Sequence, residues 1–583
     1  MTEAQSISGV SAGGRTIPRV RRDRMWRAFL VLIGLALFSA TAAGGPGHNV
    51  VLPGTAPYLT VFLLDGARQD VVFRELRAGR LPNIAALGQQ GAIVEKGISS
   101  FPSMTGYAYY PVVTGLDSTR SGVLGLRWFD RSRDVGNLRS YVGTTNDMMS
   151  VDFAPSPKLM YERFDDQHSF TLNTYANRGV KTNEKAGFAY ARAKYHRRYW
   201  LLRTLGKIPV IGKVIAPDWE EAEDIGVAKA IDDLERRPKI QWITLASMDA
   251  HQHISGTDAR YAEIIRYADK LIGEYREASR KLGQEKDRIY LITTDHGATD
   301  ADKNLDVREV LDTCCGLVAE RDGSTHVINN KLDQPLSEWF DKDAAVVING
   351  DMLNYLYFRD PGRTGAEAWR QSVGLDRLRD YRGHDVVDAL RKEAALRFVM
   401  GWSEKEQAAK VFTADGEGTI REGSGGLSYE FEGTDPFGYQ DDPRVMPLFD
   451  GQAHPPRAWL EATYDTKFPD AVYRVHRLMT APGAPDLVVT AAAGWDLGKD
   501  YEVLVGNYKG GHGGLNDEQM TTWYVLAGPG VRRGARLKTA RVEDIGITLF
   551  PLMNIKPEPE ANGRILNELL SQPVRPHRSK DTR

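Results

Sequence analysis

The apolar positions of this chain follow two spacings. Short runs in which most residues are apolar occur at Tyr58 to Leu64, Ile240 to Ser247, Ile289 to Thr294, Leu487 to Ala491 and Trp523 to Ala527. Continuous runs of this length predict strands buried on both faces, as in a parallel sheet covered by helices. Elsewhere the spacing lengthens. Tyr261, Ile264, Ile265, Ala268, Leu271, Ile272 and Tyr275 recur at helical intervals and predict a helix from Asp258 to about Leu282. A second helix is predicted from about Ala222 to Arg236, ending ahead of Pro238. Strands alternating with helices point to an α/β fold with a mostly parallel sheet flanked by helices.

The stretch 301–500 departs from this alternation. It carries its own strands (Ala344 to Ile348, Asn354 to Phe358) and a helix near Asp385 to Arg397. Gly416 to Asp442, rich in Gly, Asp and Glu, reads as an exposed loop region. The stretch is therefore expected to be a cap-like insertion over the main sheet, separating a first core part at 58–300 from a second at 501–570. At the amino end, a polar basic leader (1–24) runs into an apolar segment (25–44), with Arg15, Arg19, Arg21, Arg22, Arg24 and Arg27 ahead of the run Phe29 to Leu37. This is the pattern of an export signal. Ala40-Thr41-Ala42 offers a cleavage site, and Met25 to Ala43 alternatively nearly spans a thin bilayer as an anchor. Both place the chain beyond Gly45 outside the cytoplasm, in a periplasm or at the outer face of the cytoplasmic membrane, the second with membrane association. The basic tail 571–583 reads as a frayed terminus.

Composition narrows the picture. The 583 residues carry 75 Lys+Arg against 77 Asp+Glu, a formal net charge of −2. A binder of nucleic-acid duplex would show a basic surplus, so that class is excluded. The two cysteines, Cys314 and Cys315, are adjacent. Their alpha carbons stand about 3.8 Å apart, below the usual disulfide range of about 4.4–6.8 Å, so no bridge is expected to staple the fold. They read as small apolar residues near a helix end.

Candidate chemistry sits where the strand runs stop. Three runs end at aspartates, Asp65, Asp249 and Asp295, and in open α/β sheets those strand ends face the ligand crevice. Three converging carboxylates repel one another unless a cation lies between them. Histidines accompany them: His253 in Asp249-Ala-His-Gln-His253, His296 directly after Asp295, and His512 in Lys509-Gly-Gly-His-Gly-Gly514, whose glycines let backbone approach an ion closely. His251 is the alternative to His253. Mixed Asp/His ligation suits zinc most readily and manganese next. Phe101-Pro-Ser-Met-Thr105 places a hydroxyl at a loop entering a helix, where a metal ion would activate it as a nucleophile. Ser103 is the fallback, and a simple helix cap is the competing role for either.

In this order the motifs resemble the type I phosphodiesterase/nucleotide pyrophosphatase branch of the alkaline phosphatase superfamily: Leu-Leu-Asp65-Gly, Phe-Pro-x-x-Thr105 with Val-Thr-Gly115, Asp249-x-x-x-His253-x-x-Gly256, Thr-Asp295-His296-Gly and Gly-His512-Gly. The resemblance implies an alkaline phosphatase-like core with two divalent metal ions, most readily Zn²⁺. Asp65, Thr105, Asp295 and His296 would hold one ion, and Asp249, His253 and His512 the other. It further implies a phosphoric diester hydrolase in which Thr105 forms a covalent phospho-threonine. One position departs. The family usually has an asparagine 21 residues after the nucleophile, where this chain has Leu126. Arg127 is the nearby replacement for gripping phosphate, its competing role being a solvent-facing arginine paired to Asp130 or Asp134. The departure leaves a lipid or glycan phosphodiester head group as an alternative substrate to a small soluble diester, with a phosphomonoesterase or a catalytically dead scaffold behind them. A sulfatase is disfavoured, because the nucleophile region lacks Cys/Ser-x-Pro-x-Arg.

Overall fold

The apolar runs form strands whose successive side chains enter different cores. In the computed structural model, which describes residues 57–131, 137–142, 145–185, 219–321, 333–335, 340–498 and 509–574, the main sheet has eight strands. Their order is Ala535–Arg541, Ala92–Ile98, Thr521–Ala527, Arg288–Thr293, Tyr58–Leu64, Ile240–Leu245, Ser169–Leu172, Thr182–Glu184. All run parallel except Thr521–Ala527, which is antiparallel to both neighbours. The sheet is thus mostly parallel, as expected, with the expected strand at 523–527 reversed. Periodicity alone carries no information on strand direction.

Leu59, Val61 and Leu63 point to one face of this sheet and Phe62 and Leu64 to the other. On the second face lie the helices Gln69–Arg77, Pro82–Gln90, Trp219–Asp233 and Ala259–Lys281. The last two answer the helices expected from spacing, and Asp258 caps the longer by accepting from Tyr261 N. On the first face the core is shared with the short helix Tyr109–Thr114, with Val542–Leu552 and with a second sheet.

That second sheet lies between residues 319 and 491. Its strands Ala344–Asn349, Leu353–Phe358, Leu487–Ala491, Leu396–Ser403, Ala408–Phe412, Gly416–Gly423 and Gly426–Gly433 pair antiparallel in that order. Three expectations are corrected here. Leu487–Ala491 belongs to this sheet rather than to the parallel one. The helix near Asp385 is only Val386–Arg391, because Leu396, Phe398 and Met400 alternate as a strand. The segment read as a loop at Gly416 to Asp442 opens with a hairpin in which Gly423 pairs with Gly426. Its solvent-facing Glu and Arg hid the alternation, and Ile420, Leu427 and Tyr429 are buried. One face of the second sheet, with Val347, Tyr355 and Met400, shares the core of the main sheet, while Val346, Leu356 and Val399 on the other face pack with the helices Val307–Cys315 and Val386–Arg391.

Cys314 and Cys315 close that first helix and are joined to each other as a disulfide. The expectation that their 3.8 Å alpha-carbon separation forbids a bridge is therefore corrected. A vicinal bridge closes only a ring through its own peptide bond and ties no distant segments. The leader, the apolar amino-terminal segment and tail residues 575–583 lie outside the described residues. Among the described residues no helix is long and apolar enough to cross a membrane.

The helix Ala471–Met479 is locked to the main core by a buried guanidinium. Arg474, 1% exposed, lies 3.1 Å from Asp117 Oδ2, 3.1 Å from Glu543 Oε2 and 3.3 Å from Asp470 Oδ2. Burial pushes the Glu543 carboxyl up to about 7. Removing the cation would take from buried Glu543 its close ion-pair partner, while Asp470 keeps Arg541 and Asp117 keeps Arg477. Arg474→Met is expected to lower the unfolding free energy by about 3–5 kcal/mol, read as a lower urea midpoint at unchanged slope.

Candidate metal centre

Sheet register brings the candidate ligands together. Leu64 pairs with Leu245 and Leu63 with Thr293, so the chain leaves three adjacent parallel strands at one edge. Asp65 follows the first strand directly, and Asp295 follows the third after Thr294. Asp249 is reached differently from the sequence expectation. Its strand ends at Leu245, and Asp249 lies in the first turn of the helix Ser247–Ser255, one turn before His253. Glu223, buried on another helix, accepts from Ser247 N at 2.8 Å and secures that helix start.

Donor atoms of Asp65, Asp295 and His296 all lie within 4.8 Å of one another, and those of Asp249, His296 and His512 form a second such group. His296 belongs to both. His253 flanks the second group, its Nε2 3.5 Å from Asp249 Oδ1 and its ring centroid 5.2 Å from that of His512. Thr105 is buried in the turn ahead of the helix Tyr109–Thr114, with its hydroxyl 3.0 Å from His296 Nε2 and 3.3 Å from Asp65 Oδ1. Tyr109 donates to the other oxygen of Asp65 at 3.3 Å.

Hydrogen bonding shows what the groups lack. His296 Nδ1 faces the carbonyl of Gly297 and His512 Nδ1 the carbonyl of Ser103, each at 2.9 Å. A carbonyl only accepts, so each Nδ1 carries the proton and each Nε2 turns a lone pair into the site. Burial, reinforced by His512, holds His296 well below the ordinary histidine range, which keeps the ring neutral. Its Nε2 then faces Asp295 Oδ2 at 3.3 Å and Asp65 Oδ1 at 3.5 Å, acceptor against acceptor. Asp295 Oδ2 is buried without a hydrogen-bond partner. Burial and the charge of Asp249 push the Asp295 carboxyl up to about 7, and burial with Asp295 and Asp249 raises Asp65 well above the carboxylate range. Burial also acts against ionised Asp249, but neighbouring His253 outweighs it and holds that group low. Imidazole lone pairs and carboxylates converging in this way fit divalent cations, whose charge would take the place of the carboxyl protons.

Residues 59–421 match the family described as type I phosphodiesterase / nucleotide pyrophosphatase, more than half of the chain. The chain belongs to the type I phosphodiesterase/nucleotide pyrophosphatase family. A curated relative, an uncharacterized pyrophosphatase/phosphodiesterase of Schizosaccharomyces pombe, is 24% identical over 248 residues, 42% of this chain. The match spans 45% of that relative's length. Two solved structures of ectonucleotide pyrophosphatase/phosphodiesterase 5 are similar: the murine protein as an inactive threonine-to-alanine variant in complex with AMP, and the human protein. Each has a TM-score of 0.50 and 15% identity, covering 88% of this chain and 100% of its own. The expected α/β fold with an alkaline phosphatase-like core is the one shared with these structures. Members of the phosphodiesterase/nucleotide pyrophosphatase family normally bind divalent metals, in keeping with the two Asp/His groups.

The alternative residues have other partners in the structure. His251 Nε2 lies 2.8 Å from Asp258 Oδ1, away from both groups. Ser103 donates to Gly514 O and accepts from Gly513 N, so its hydroxyl holds the His512 loop. The glycines of that loop also serve packing: a Cβ at Gly510 would lie 2.7 Å from Gln252 Oε1, and one at Gly511 would lie 2.6 Å from Gly350 O. Leu126 packs partly buried on the core. Arg127 is buried rather than solvent-facing, with Nη1 donating to Ile348 O at 3.1 Å. Sequence reasoning missed Asp351, whose Oδ2 is 3.2 Å from His253 Nδ1. In sequence it stands in an ordinary turn between two apolar runs, with no strand-end position to mark it.

Neutralising one carboxylate relieves the repulsion. With chelator present, Asp295→Asn is expected to be more stable than the native chain by roughly 1–3 kcal/mol in thermal or urea unfolding. The same variant should lose the stabilisation that added Zn²⁺ gives the native chain.

Proposed function

We propose that this protein is an exported, two-metal phosphodiesterase in which Thr105 is the nucleophile. The observation that carries this reading is the Thr105 hydroxyl, buried 3.0 Å from His296 Nε2 and 3.3 Å from Asp65 Oδ1, at the edge of the two Asp/His groups. Asp65, Asp295 and His296, with Thr105, would hold one divalent ion, and Asp249, His253 and His512 the other. Zinc suits this Asp/His set best, with manganese next. When bound, such ions lower the pKa of the hydroxyl and offset charge on the phosphate.

The chain's own part is positioning. Tyr109 and the Gly66 amide, which donates to Asp295 Oδ1 at 3.2 Å, fix the two carboxylates on either side of the hydroxyl. Thr105 Oγ forms a bond to phosphorus as the bond to the leaving oxygen breaks, and the departing alkoxide ends protonated as an alcohol. Water then cleaves the phospho-threonine, restoring the hydroxyl and releasing a phosphate monoester. The murine structural neighbour carrying a threonine-to-alanine change is an inactive protein in complex with AMP, which accords with a threonine nucleophile and a nucleotide-like ligand. Leu126 favours a second reading of the substrate. Its apolar side chain cannot donate to a phosphoryl oxygen, which is compatible with a lipid or glycan phosphodiester head group in place of a free nucleotide. The arginine-flanked apolar run at the amino end supports export to a periplasm or to the outer face of the cytoplasmic membrane.

Thr105→Ala is expected to lower kcat/KM for bis-p-nitrophenyl phosphate by about 10³-fold or more while bound metal is retained. Diester activity at the native level in that variant overturns the nucleophile. A native chain that prefers p-nitrophenyl phosphate overturns the substrate class.

A further inference from the structure

The proposed centre leaves one adjacent buried carboxylate without a role. Asp351 lies on the tight turn joining the insertion strands Ala344–Asn349 and Leu353–Phe358. It is 3% exposed, and its Oδ2 stands 3.2 Å from His253 Nδ1, an ion-pair contact whose angle falls short of a formed hydrogen bond. The opposite ring nitrogen, Nε2, is the one that faces Asp249. An imidazole that binds a metal through one nitrogen can be oriented only through the other. A carboxylate there fixes the tautomer and raises the basicity of the ligating nitrogen.

The turn is shaped for this contact. Gly350 and Asp351 both adopt left-handed backbone, with φ of +60° and +69°. A Cβ on Gly350 would lie 2.7 Å from His512 O and 2.8 Å from His512 Nδ1. The same turn accepts from His512 N at Gly350 O, 2.7 Å, and donates from Met352 N to His512 O, 3.1 Å. Leu497 N donates to Asp351 O at 2.7 Å and pins the turn from behind. One turn of the insertion therefore grips His512 through its main chain and His253 through its carboxylate.

We propose that Asp351 is the positioning residue for His253, through which the insertion sets the affinity of the ion on the Asp249 side. This rests on the two-metal reading above. The test is metal binding, independent of turnover. Chelator-stripped full-length protein is titrated with Zn²⁺ against a chromophoric competitor. The native chain is expected to take two ions. Asp351→Ala should keep one at native affinity and bind the other about 10–100-fold more weakly. Asp351→Asn keeps an acceptor for Nδ1–H and should fall between them. With two ions on the native chain, equal weakening of both in Asp351→Ala, or weakening of neither, overturns the proposal. A native chain that takes no ion overturns the two-metal reading, and the proposal with it.

Discussion

Most of this structure answers to one electrostatic constraint: buried Asp65 and Asp295 and half-buried Asp249 converge at the strand ends of a mostly parallel sheet. Register leaves the chain little freedom in this. With Leu64 opposite Leu245 and Leu63 opposite Thr293, the residues after those strands must emerge side by side. Burial and mutual repulsion would ordinarily drive protons onto such groups, and Asp65 and Asp295 are raised accordingly. His253 offsets Asp249, but His296 and His512 do little for Asp65 and Asp295, because their Nδ1–H groups donate to the carbonyls of Gly297 and Ser103. What remains is a cluster of carboxylates and imidazole lone pairs that suits a cation. Tyr109, Glu223 and the Gly66 amide hold that arrangement against its own repulsion.

The two donor groups differ in what supports them. Asp65, Thr105, Asp295 and His296 come from segments before residue 300, all on or next to main-sheet strands. Asp249 shares that origin, but His253 and His512 both rest on the turn at Gly350 and Asp351. The insertion is fastened to the core around them: the helix Ala471–Met479 sends Arg474 into a buried cluster with Asp117 and Glu543, and Arg127 exchanges main-chain hydrogen bonds with the Asn349 amide. A shift of the insertion would therefore disturb the Asp249 side before the Thr105 side.

Much of this was legible in the sequence because the responsible signals are local. A run such as Tyr58–Leu64 is a strand from its composition alone, and an aspartate directly after it marks a crevice position. Non-local facts were not legible. Nothing in the run at 523–527 shows that it enters the sheet reversed, and the run at 487–491 carries no mark of which sheet it joins. The hairpin at Gly416–Gly433 was obscured because one face meets solvent, so charge density overrode a weak alternation. Asp351 was missed for a related reason. Its contact is with a residue almost a hundred positions away, while its own surroundings spell only a turn.

The same distinction between local and long-range signals bears on what carries over from the family. Ligand residues carry over well, since each is fixed by a strand end or a helix turn that the fold itself provides. Phosphate recognition beyond the metals does not carry over so directly. Where the family pattern has an amide, Leu126 packs partly into the core. The side-chain amide of Asn349, beside Gly125 and Arg127, is spent on both main-chain groups of Arg127. Arg127 in turn donates to Ile348 O. The polar groups that would replace the missing asparagine are thus engaged in joining the insertion to the core. On the two-metal reading, the phosphate charge then falls mainly to the cations, while the insertion, whose strands supply Ile348, Asn349 and the Asp351 turn, shapes the ground on which a substrate must fit.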